Sequence, residues 1–318
     1  MDWMIETEGL TKVYKNRNHG TALQNLDLKV REGQLYGLLG SDGAGKTTTL
    51  RMLSTVLDSS GGTAKISGYD LRTEAQKARQ LIGYMPQNFS LYPDLSVVEN
   101  LLFFARIQQV PAERIGQRIK ELLTFTRLDG FQERRAGKLS GGMKKKLALA
   151  CALIHEPRVL LLDEPSTGVD PVSRRELWKI LAEVVEGGVT VLVSTPYMDE
   201  AERCHEVGVL YQGKLITAGT PDQLEADLPF NILEVKVKPR KAMRRIVGET
   251  ENILDWRPVG DILRLAIPNH NTSAIPRMMR SLNSRFRREG LDIEVLRPAK
   301  RTMEDVFVYL VGLRRSEA

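Results

Sequence analysis

An α/β chain of two domains is the fold class that the sequence predicts, and three stretches carry that reading. The first is Gly40-Ser41-Asp42-Gly43-Ala44-Gly45-Lys46-Thr47-Thr48, which fits G-x-x-x-x-G-K-[ST], a phosphate-binding loop. The second is Val159-Leu160-Leu161-Leu162 running into Asp163-Glu164-Pro165, a continuous apolar strand that ends in two carboxylates. The third is a change of pattern near residue 229, after which short strands and helices follow the order βαββαβ. The boundaries expected are 1–228 for the first domain, with a helical part at about 88–157, and 229–318 for a small α+β, ferredoxin-like domain.

The glycine loop has the flanks its chemistry needs. Gln34–Leu39 before it is a short apolar run that reads as a buried strand, and Thr47–Leu53 after it has apolar residues at helical spacing. The glycines let the backbone curl so that successive N–H groups meet phosphate oxygens, and the helix N-terminus adds partial positive charge. Lys46 is expected against the β- and γ-phosphates, and the Thr47 hydroxyl against Mg²⁺.

Composition bounds the function classes. The chain has 318 residues, 42% of them hydrophobic, which suffices for ordinary globular cores. No apolar run reaches membrane-spanning length, and Met1–Glu6 does not read as a signal peptide, so the chain is expected to stay in the cytosol. Cys151 and Cys204 lack metal-ligand spacing and read as reduced thiols. The net charge is +6 and the pI about 9.2. From Asn231 onward 18 Lys and Arg face 11 Asp and Glu, a balance of +7, whereas the rest of the chain comes to −1. A basic tail can face anionic lipid or nucleic acid, or simply be solvated.

In chain order, Met4–Glu8 and Leu23–Val30 read as strands, with Tyr14 between them placed to stack on a purine. Further strands are expected at 63–68 and 81–87, the second delivering Gln87 at a carboxyl end, where ligands collect in open α/β sheets. A Gln there can offer its carbonyl oxygen to a metal or to a metal-bound water. Ser96-Val97-Val98-Glu99 is a capping box, and two amphipathic helices follow near 97–109 and 112–126, the second opening at Pro111. Ser140-Gly141-Gly142 then opens a helix to about Ile154 and makes a second anion-type helix start. At the end of the apolar strand, Asp163 can hold Mg²⁺ through water, and Glu164 can accept a proton from an attacking water. A helix near 173–186 and a buried strand at Val189–Ser194 complete the first domain.

In the tail the strands expected are Ile232–Val237, Ile253–Trp256, Ile262–Ile267 and Asp292–Leu296. The helices are Lys241–Val247, one near 273–288, and a final one at about 302–312 that is expected to pack back on the main domain. RNA binding by this fold type would want stacking aromatics on the sheet, and the strands offer little beyond Trp256. No nucleic-acid partner is therefore expected.

Taken together, over residues 3–225, the motifs resemble the ATP-binding subunit of an ABC transporter. Gly40–Thr48 matches the Walker A loop, Gln87 the Q-loop, and Leu139-Ser140-Gly141-Gly142-Met143 the signature motif, with Met where Gln is commoner. Leu160–Pro165 matches Walker B with its catalytic Glu, Ser166–Asp170 the D-loop, and Tyr14 the adenine-stacking aromatic. Tyr197–Cys204 and the tail Thr302–Phe307 look like the drug-exporter branch that serves ABC-2-type permeases. The chain is similar to daunorubicin-resistance-type ATPases and to one half of YbhF-type proteins, in which two cassettes share a chain. The resemblance implies an ATPase using ATP and Mg²⁺, peripheral on the inner face of the cell membrane. It also implies pairing with a second cassette, identical or not, and export of a small, hydrophobic or multidrug-type molecule through a permease. Glu164, Lys46 and Gln87 would carry catalysis, and Thr47, Gln87 and Asp163 the metal. Nucleotide would lie against Tyr14, Gly40–Thr48 and Asp163 of one cassette and Ser140, Gly141 and Gly142 of the other. The helical insert and the Q-loop would pass the motion to membrane helices.

One position departs from the family pattern. A His usually follows the pair that is Ser194-Thr195 in this chain, and here that place is taken by Pro196. Proline has neither an imidazole nor an N–H to offer a γ-phosphate. The expectation is slowed hydrolysis by Glu164, or a competent site supplied by a partner cassette. Two alternatives stay open: a soluble ABC-type ATPase acting on nucleic acid or ribosomes, and a degenerate cassette that binds ATP without turnover.

Overall fold

Two units, Met1–Pro221 and Asp222–Ala318, divide the chain in a computed structural model that describes residues 3–14, 20–88, 91–268 and 274–316. The first unit runs β1 (Trp3–Val13), β2 (Thr21–Arg31), β3 (Leu35–Leu39), α1 (Lys46–Leu53), β4 (Gly61–Ile66), β5 (Tyr69–Asp70), α2 (Ala75–Arg79) and β6 (Ile82–Met85). It continues with α3 (Val97–Ile107), α4 (Ala112–Thr126), α5 (Gly141–Leu153), β7 (Val159–Asp163), α6 (Pro171–Glu186), β8 (Thr190–Thr195), α7 (Met198–Ala201), β9 (Glu206–Tyr211) and β10 (Lys214–Gly219).

The short apolar runs become the centre of a six-stranded sheet ordered β10-β9-β3-β8-β7-β6. β3, β7 and β8 are buried along their whole length, as parallel strands covered on both faces must be. β3 pairs in parallel with β8 and β9, and β7 with β6 and β8. The carboxyl ends of β3, β6, β7 and β8 therefore open on one side, delivering the glycine loop, Gln87, Asp163-Glu164 and Pro196 together. A second sheet, β2-β1-β4-β5, is antiparallel, and the alternating burial of β2 matches its half-exposed place there.

The helical insert forms from α3, α4 and α5, which pack on one another. Its first helix carries the capping box: Glu99 N–H donates to Ser96 Oγ at 3.1 Å, and Ser96 N–H to Glu99 Oε2 at 2.7 Å. The β9–β10 hairpin is absent from the strands expected from sequence. Its two-residue turn places Gln212 at φ 47 and Gly213 at φ 78, the primed geometry that suits strand twist. The Gln-Gly pair was its only local signal, weaker than Asn-Gly.

The second unit contains α8 (Pro221–Ala226), β11 (Phe230–Lys238), α9 (Arg240–Gly248), β12 (Asp255–Val259), β13 (Ile262–Pro268), α10 (Ala274–Arg288), β14 (Asp292–Ala299) and α11 (Met303–Ser316). It begins at 222 rather than 229. Lys300 pairs with Asp222 and Glu225, and the Arg301 guanidinium donates to the carbonyls of Ala226, Leu228 and Phe230, so α8 is tied to this unit. The four strands form an antiparallel sheet ordered β12-β13-β11-β14, the order of a ferredoxin-like βαββαβ unit. β12 begins at Asp255, later than Ile253, and runs through Pro258, which an edge strand tolerates because the outer side needs no N–H.

The two faces of this sheet are covered differently. Leu233, Val235, Val237, Leu263, Leu265 and Ile267 form a core with α9 and α10. The other face carries Glu234 and Arg264 as well as apolar residues, and α11 lies against it. Asp305 of α11 accepts from Arg257 at 2.6 Å and from Arg264 at 2.9 Å, and Arg264 also reaches Glu234 at 2.9 Å. The rings of Phe230 and Tyr309 meet at 5.5 Å. The Asp305 carboxylate, buried against this sheet, needs those two guanidiniums to offset its desolvation, and they anchor the start of α11 to its own sheet.

Burial pushes the Asp305 carboxyl up, but Arg264 and Arg257 outweigh it and hold it below the ordinary value of 3.8. A depressed folded-state pKa means stability present above the unfolded value and lost as pH falls through the folded one. Asp305→Ala should cost the second unit about 2 kcal/mol, since it removes charge-assisted hydrogen bonds from two guanidiniums that keep Glu304 and Glu234 as their remaining carboxylate partners. Denaturant unfolding followed by fluorescence in a Trp3→Phe, Trp178→Phe background, which leaves Trp256 as the reporter, should show that loss at pH 7, and a smaller difference from the parent below pH 3.8.

Candidate functional site

The site is assembled at the carboxyl ends of β3, β7 and β8. The loop after β3 enters α1 through Gly45 at φ 108, a conformation that strains other residues, and a Cβ there would lie 2.8 Å from the Ala22 carbonyl oxygen. The turn brings Lys46 back over the loop, where its ammonium donates to the carbonyls of Gly40 at 2.8 Å and Ser41 at 3.1 Å. The same ammonium lies 3.2 Å from Glu164 Oε1, with both side chains buried. Glu164 Oε2 accepts from Gln87 Nε2 at 3.0 Å and from the Thr167 hydroxyl at 3.3 Å. Glu164 itself has φ 47, a left-handed value that strains a residue with a Cβ.

Ser194, near the end of β8, holds that strained turn. Its hydroxyl donates to Asp163 Oδ1 at 2.7 Å, and it accepts from the Glu164 N–H at 3.0 Å. The Thr47 hydroxyl donates to the same Asp163 oxygen at 3.1 Å. Asp163 Oδ2 is buried and has no hydrogen-bond partner among the described residues. Burial pushes the Asp163 carboxyl up, against the lowering effect of Ser194 and Thr47. A buried carboxylate oxygen left open beside a threonine hydroxyl fits a hard divalent cation, which takes oxygen ligands and retains water. One carboxylate, one hydroxyl and one amide make a thin set, suited to Mg²⁺ that also binds phosphate rather than to a fully caged ion.

Above these groups opens a cleft of about 850 Å³ lined by Tyr14, Thr21, Ala22, Asp42–Thr48, Gln87, Glu164, Thr167, Pro196 and Tyr197. The Lys12 ammonium sits 5.5 Å from the centre of the Tyr14 ring. Lys15, the other basic neighbour of Tyr14, lies outside the described residues. Gly40 and Ser41 contribute carbonyls to Lys46 rather than cleft wall.

Ser140, Gly141 and Gly142 do not line this cleft. Ser140 caps α5, accepting from the Met143 N–H at 3.3 Å. Gly142 packs so tightly that a Cβ would meet the Ser173 side chain at 2.4 Å, which locks the start of α5 on α6. The start of α5 borders a separate groove of about 460 Å³ with Gln87, Lys144, Lys145, Thr167 and Gly168. Burial lowers the Lys145 ammonium, opposed by Asp163 and Glu164, and Lys145 donates to the Gln87 carbonyl at 3.2 Å.

The described histidines do not replace the one missing at Pro196. His205 Nδ1 accepts from the Leu35 N–H at 3.0 Å, and His155 Nε2 lies 3.1 Å from the Ile82 carbonyl oxygen. Both serve backbone. Cys151 and Cys204 are free and buried, and burial pushes the Cys204 thiol up to about 12.

Four residues that the sequence reading placed in strands or motifs but gave no individual role in the site are Ser194, Thr167, Tyr197 and Glu200. Glu200 is fully buried, accepting from Ser166 Oγ at 2.5 Å and Thr195 Oγ1 at 2.6 Å, with Arg174 Nε at 3.4 Å. It ties the loop after Glu164 to the end of β8. The available signal was a carboxylate two residues into a helix that follows Pro196, too common a pattern to single out.

The family model described as "ABC transporter" matches residues 23–167. Over 312 residues the chain is 35% identical to the daunorubicin/doxorubicin resistance ATP-binding protein DrrA of Streptomyces peucetius, covering 97% of this chain and 92% of that one. It is 46% identical over 223 residues to the probable multidrug ABC transporter ATP-binding protein YbhF of Escherichia coli (strain K12), covering 70% of this chain. It spans only 38% of that relative's length. Among solved structures, a dimeric ATP-binding cassette in a post-hydrolysis state with ADP and phosphate superposes with a TM-score of 0.63 at 26% identity, over 68% of this chain and 98% of that one. The ATP-binding subunit of an ABC transporter matches with the same TM-score at 28% identity, over 70% and 92%.

Proposed function

The chain belongs to the family of ABC transporter ATP-binding proteins, and we propose from that premise that it hydrolyses ATP to drive export of a small hydrophobic molecule through an ABC-2-type permease. The observation that carries the reading is the convergence of Lys46 and Gln87 on the two oxygens of Glu164, beside Asp163 and Thr47. A carboxylate on a strained turn, held by the Lys46 ammonium, suits a proton acceptor that is released when phosphate arrives.

In this mechanism the β- and γ-phosphates draw Lys46 off Glu164 and onto themselves, while the N–H groups of Asp42–Thr48 take the phosphate oxygens. Tyr14 supports the base. Glu164, still held by Gln87, accepts a proton as water oxygen bonds to the γ-phosphorus and the bond to ADP breaks. Mg²⁺ held by Thr47, Asp163 and Gln87 would supply charge neutralisation for the phosphates.

Ser140, Gly141 and Gly142 lie outside this chain's cleft, and their helix start suits the phosphates of a nucleotide held by a second cassette. The functional unit is then a pair of cassettes, identical or different, bound peripherally to a permease on the inner face of the membrane. The names of the relatives, multidrug and daunorubicin resistance, support a hydrophobic cargo. Among the described residues no helix is long and apolar enough to cross a membrane. Co-purification with a multi-span membrane protein would support this partner; recovery with ribosomes or nucleic acid instead would favour a non-transport ATPase.

Pro196 lines the cleft where a histidine could have met the γ-phosphate. Steady-state ATP hydrolysis should be slow in the parent and rise in Pro196→His. It should fall about 100-fold or more in Glu164→Gln with nucleotide affinity retained, the scale of a lost general base. Parental turnover in Glu164→Gln would remove Glu164 from the mechanism, and no gain in Pro196→His would remove the explanation of slowness.

A further inference from the structure

The helical face of the second unit has a composition that the ATPase reading does not use. α9 and α10 carry nine Lys and Arg between them and no Asp or Glu. The two helices pack side by side on one face of their sheet, with Met243, Ile246 and Val247 of α9 and Met278, Leu282 and Phe286 of α10 in the core. Their polar sides therefore turn outward together. Of the nearby carboxylates, Glu249 is engaged with Arg245 and Arg285, Glu289 with Arg245, and Asp261 with Lys236 and Arg240, while Glu251 lines a groove with Arg277 and Arg285. Among the described residues no ion pair reaches Lys241, Arg244, Arg280, Arg287 or Arg288, and all five are exposed.

Exposed cations are usually just solvated, and one or two would mean nothing. Five without an ion pair, on two helices that carry no acid of their own, make a surface of net positive potential, which self-repulsion disfavours unless an anionic partner relieves it. We infer that this face binds an anionic phospholipid surface. A rigid layer of helices presents point charges to headgroups without needing a shaped pocket, and each cation near an anionic leaflet strengthens binding by about five-fold. Single-stranded nucleic acid is the weaker fit, because it needs aromatic platforms and the only aromatic of these helices, Phe286, is fully buried. The inference does not depend on ATP hydrolysis, so the two can fail separately.

The test is flotation of the full chain with vesicles of phosphatidylcholine alone or with phosphatidylglycerol added, at low and high salt. The chain should float with the phosphatidylglycerol vesicles at low salt, stay behind with phosphatidylcholine, and be released as screening shortens the reach of the charges. The triple variant Lys241→Glu, Arg244→Glu, Arg280→Glu should bind about 100-fold more weakly or worse, with its melting temperature and ATP-hydrolysis rate unchanged. Should that variant fail to fold, the triple Gln variant at the same positions keeps the comparison, with a smaller loss of the same sign. Equal flotation with neutral vesicles, parental binding by a folded variant, or a salt-sensitive complex with an oligonucleotide at lower protein concentration than lipid binding requires would overturn the inference.

Discussion

One serine, through its hydroxyl and its carbonyl, sets the geometry on which the candidate site depends. Ser194 donates to Asp163 and accepts from the backbone of Glu164, so two neighbouring carboxylates leave the end of β7 in different directions. Asp163 turns toward Thr47 and keeps one oxygen open; Glu164, at positive φ, turns toward Lys46 and Gln87. The cost of the left-handed turn is on the order of 1–3 kcal/mol and persists only because the parallel pairing of β7 with β8 fixes Ser194 beside it. The strand order is thus part of the chemistry: β8 lies between β3 and β7, and brings one hydroxyl to both halves of the site.

The groups that could be read from sequence were those whose chemistry is local. A glycine loop followed by Lys46-Thr47, and an apolar run ending in Asp163-Glu164, state their roles within a few residues. The strands and helices around them follow from apolar periodicity, and Ser96 with Glu99 forms the capping box its spacing implies. What escaped was relational. Ser194 looks like the last polar residue of a buried strand until β8 is known to neighbour β7. Glu200 looks like a surface carboxylate until Ser166 and Thr195 close over it. The β9–β10 hairpin was missed because its turn uses Gln-Gly in place of a stronger pair.

In the second unit the order βαββαβ was legible, and the observed sheet follows it with a shift at β12. The placement of α11 was not, because its anchor is electrostatic. Asp305 is one carboxylate among many in the sequence, and only the fold shows Arg257 and Arg264 converging on it. The same unit separates its charges by face: acids and bases are paired around α11, while among the described residues Lys241, Arg244, Arg280, Arg287 and Arg288 of α9 and α10 take part in no ion pair. That asymmetry is invisible in a net charge of +7 and gives the tail a surface chemistry distinct from the nucleotide cleft.

If Ser194 orients both carboxylates, removing its hydroxyl should disable chemistry while sparing binding. Single-turnover ATP hydrolysis by Ser194→Ala, with nucleotide affinity measured in parallel, tests this most directly. The account predicts a chemical step slower by about 100-fold, the scale of a misplaced catalytic group, with affinity close to that of the parent. Hydrolysis at the parental rate would contradict it.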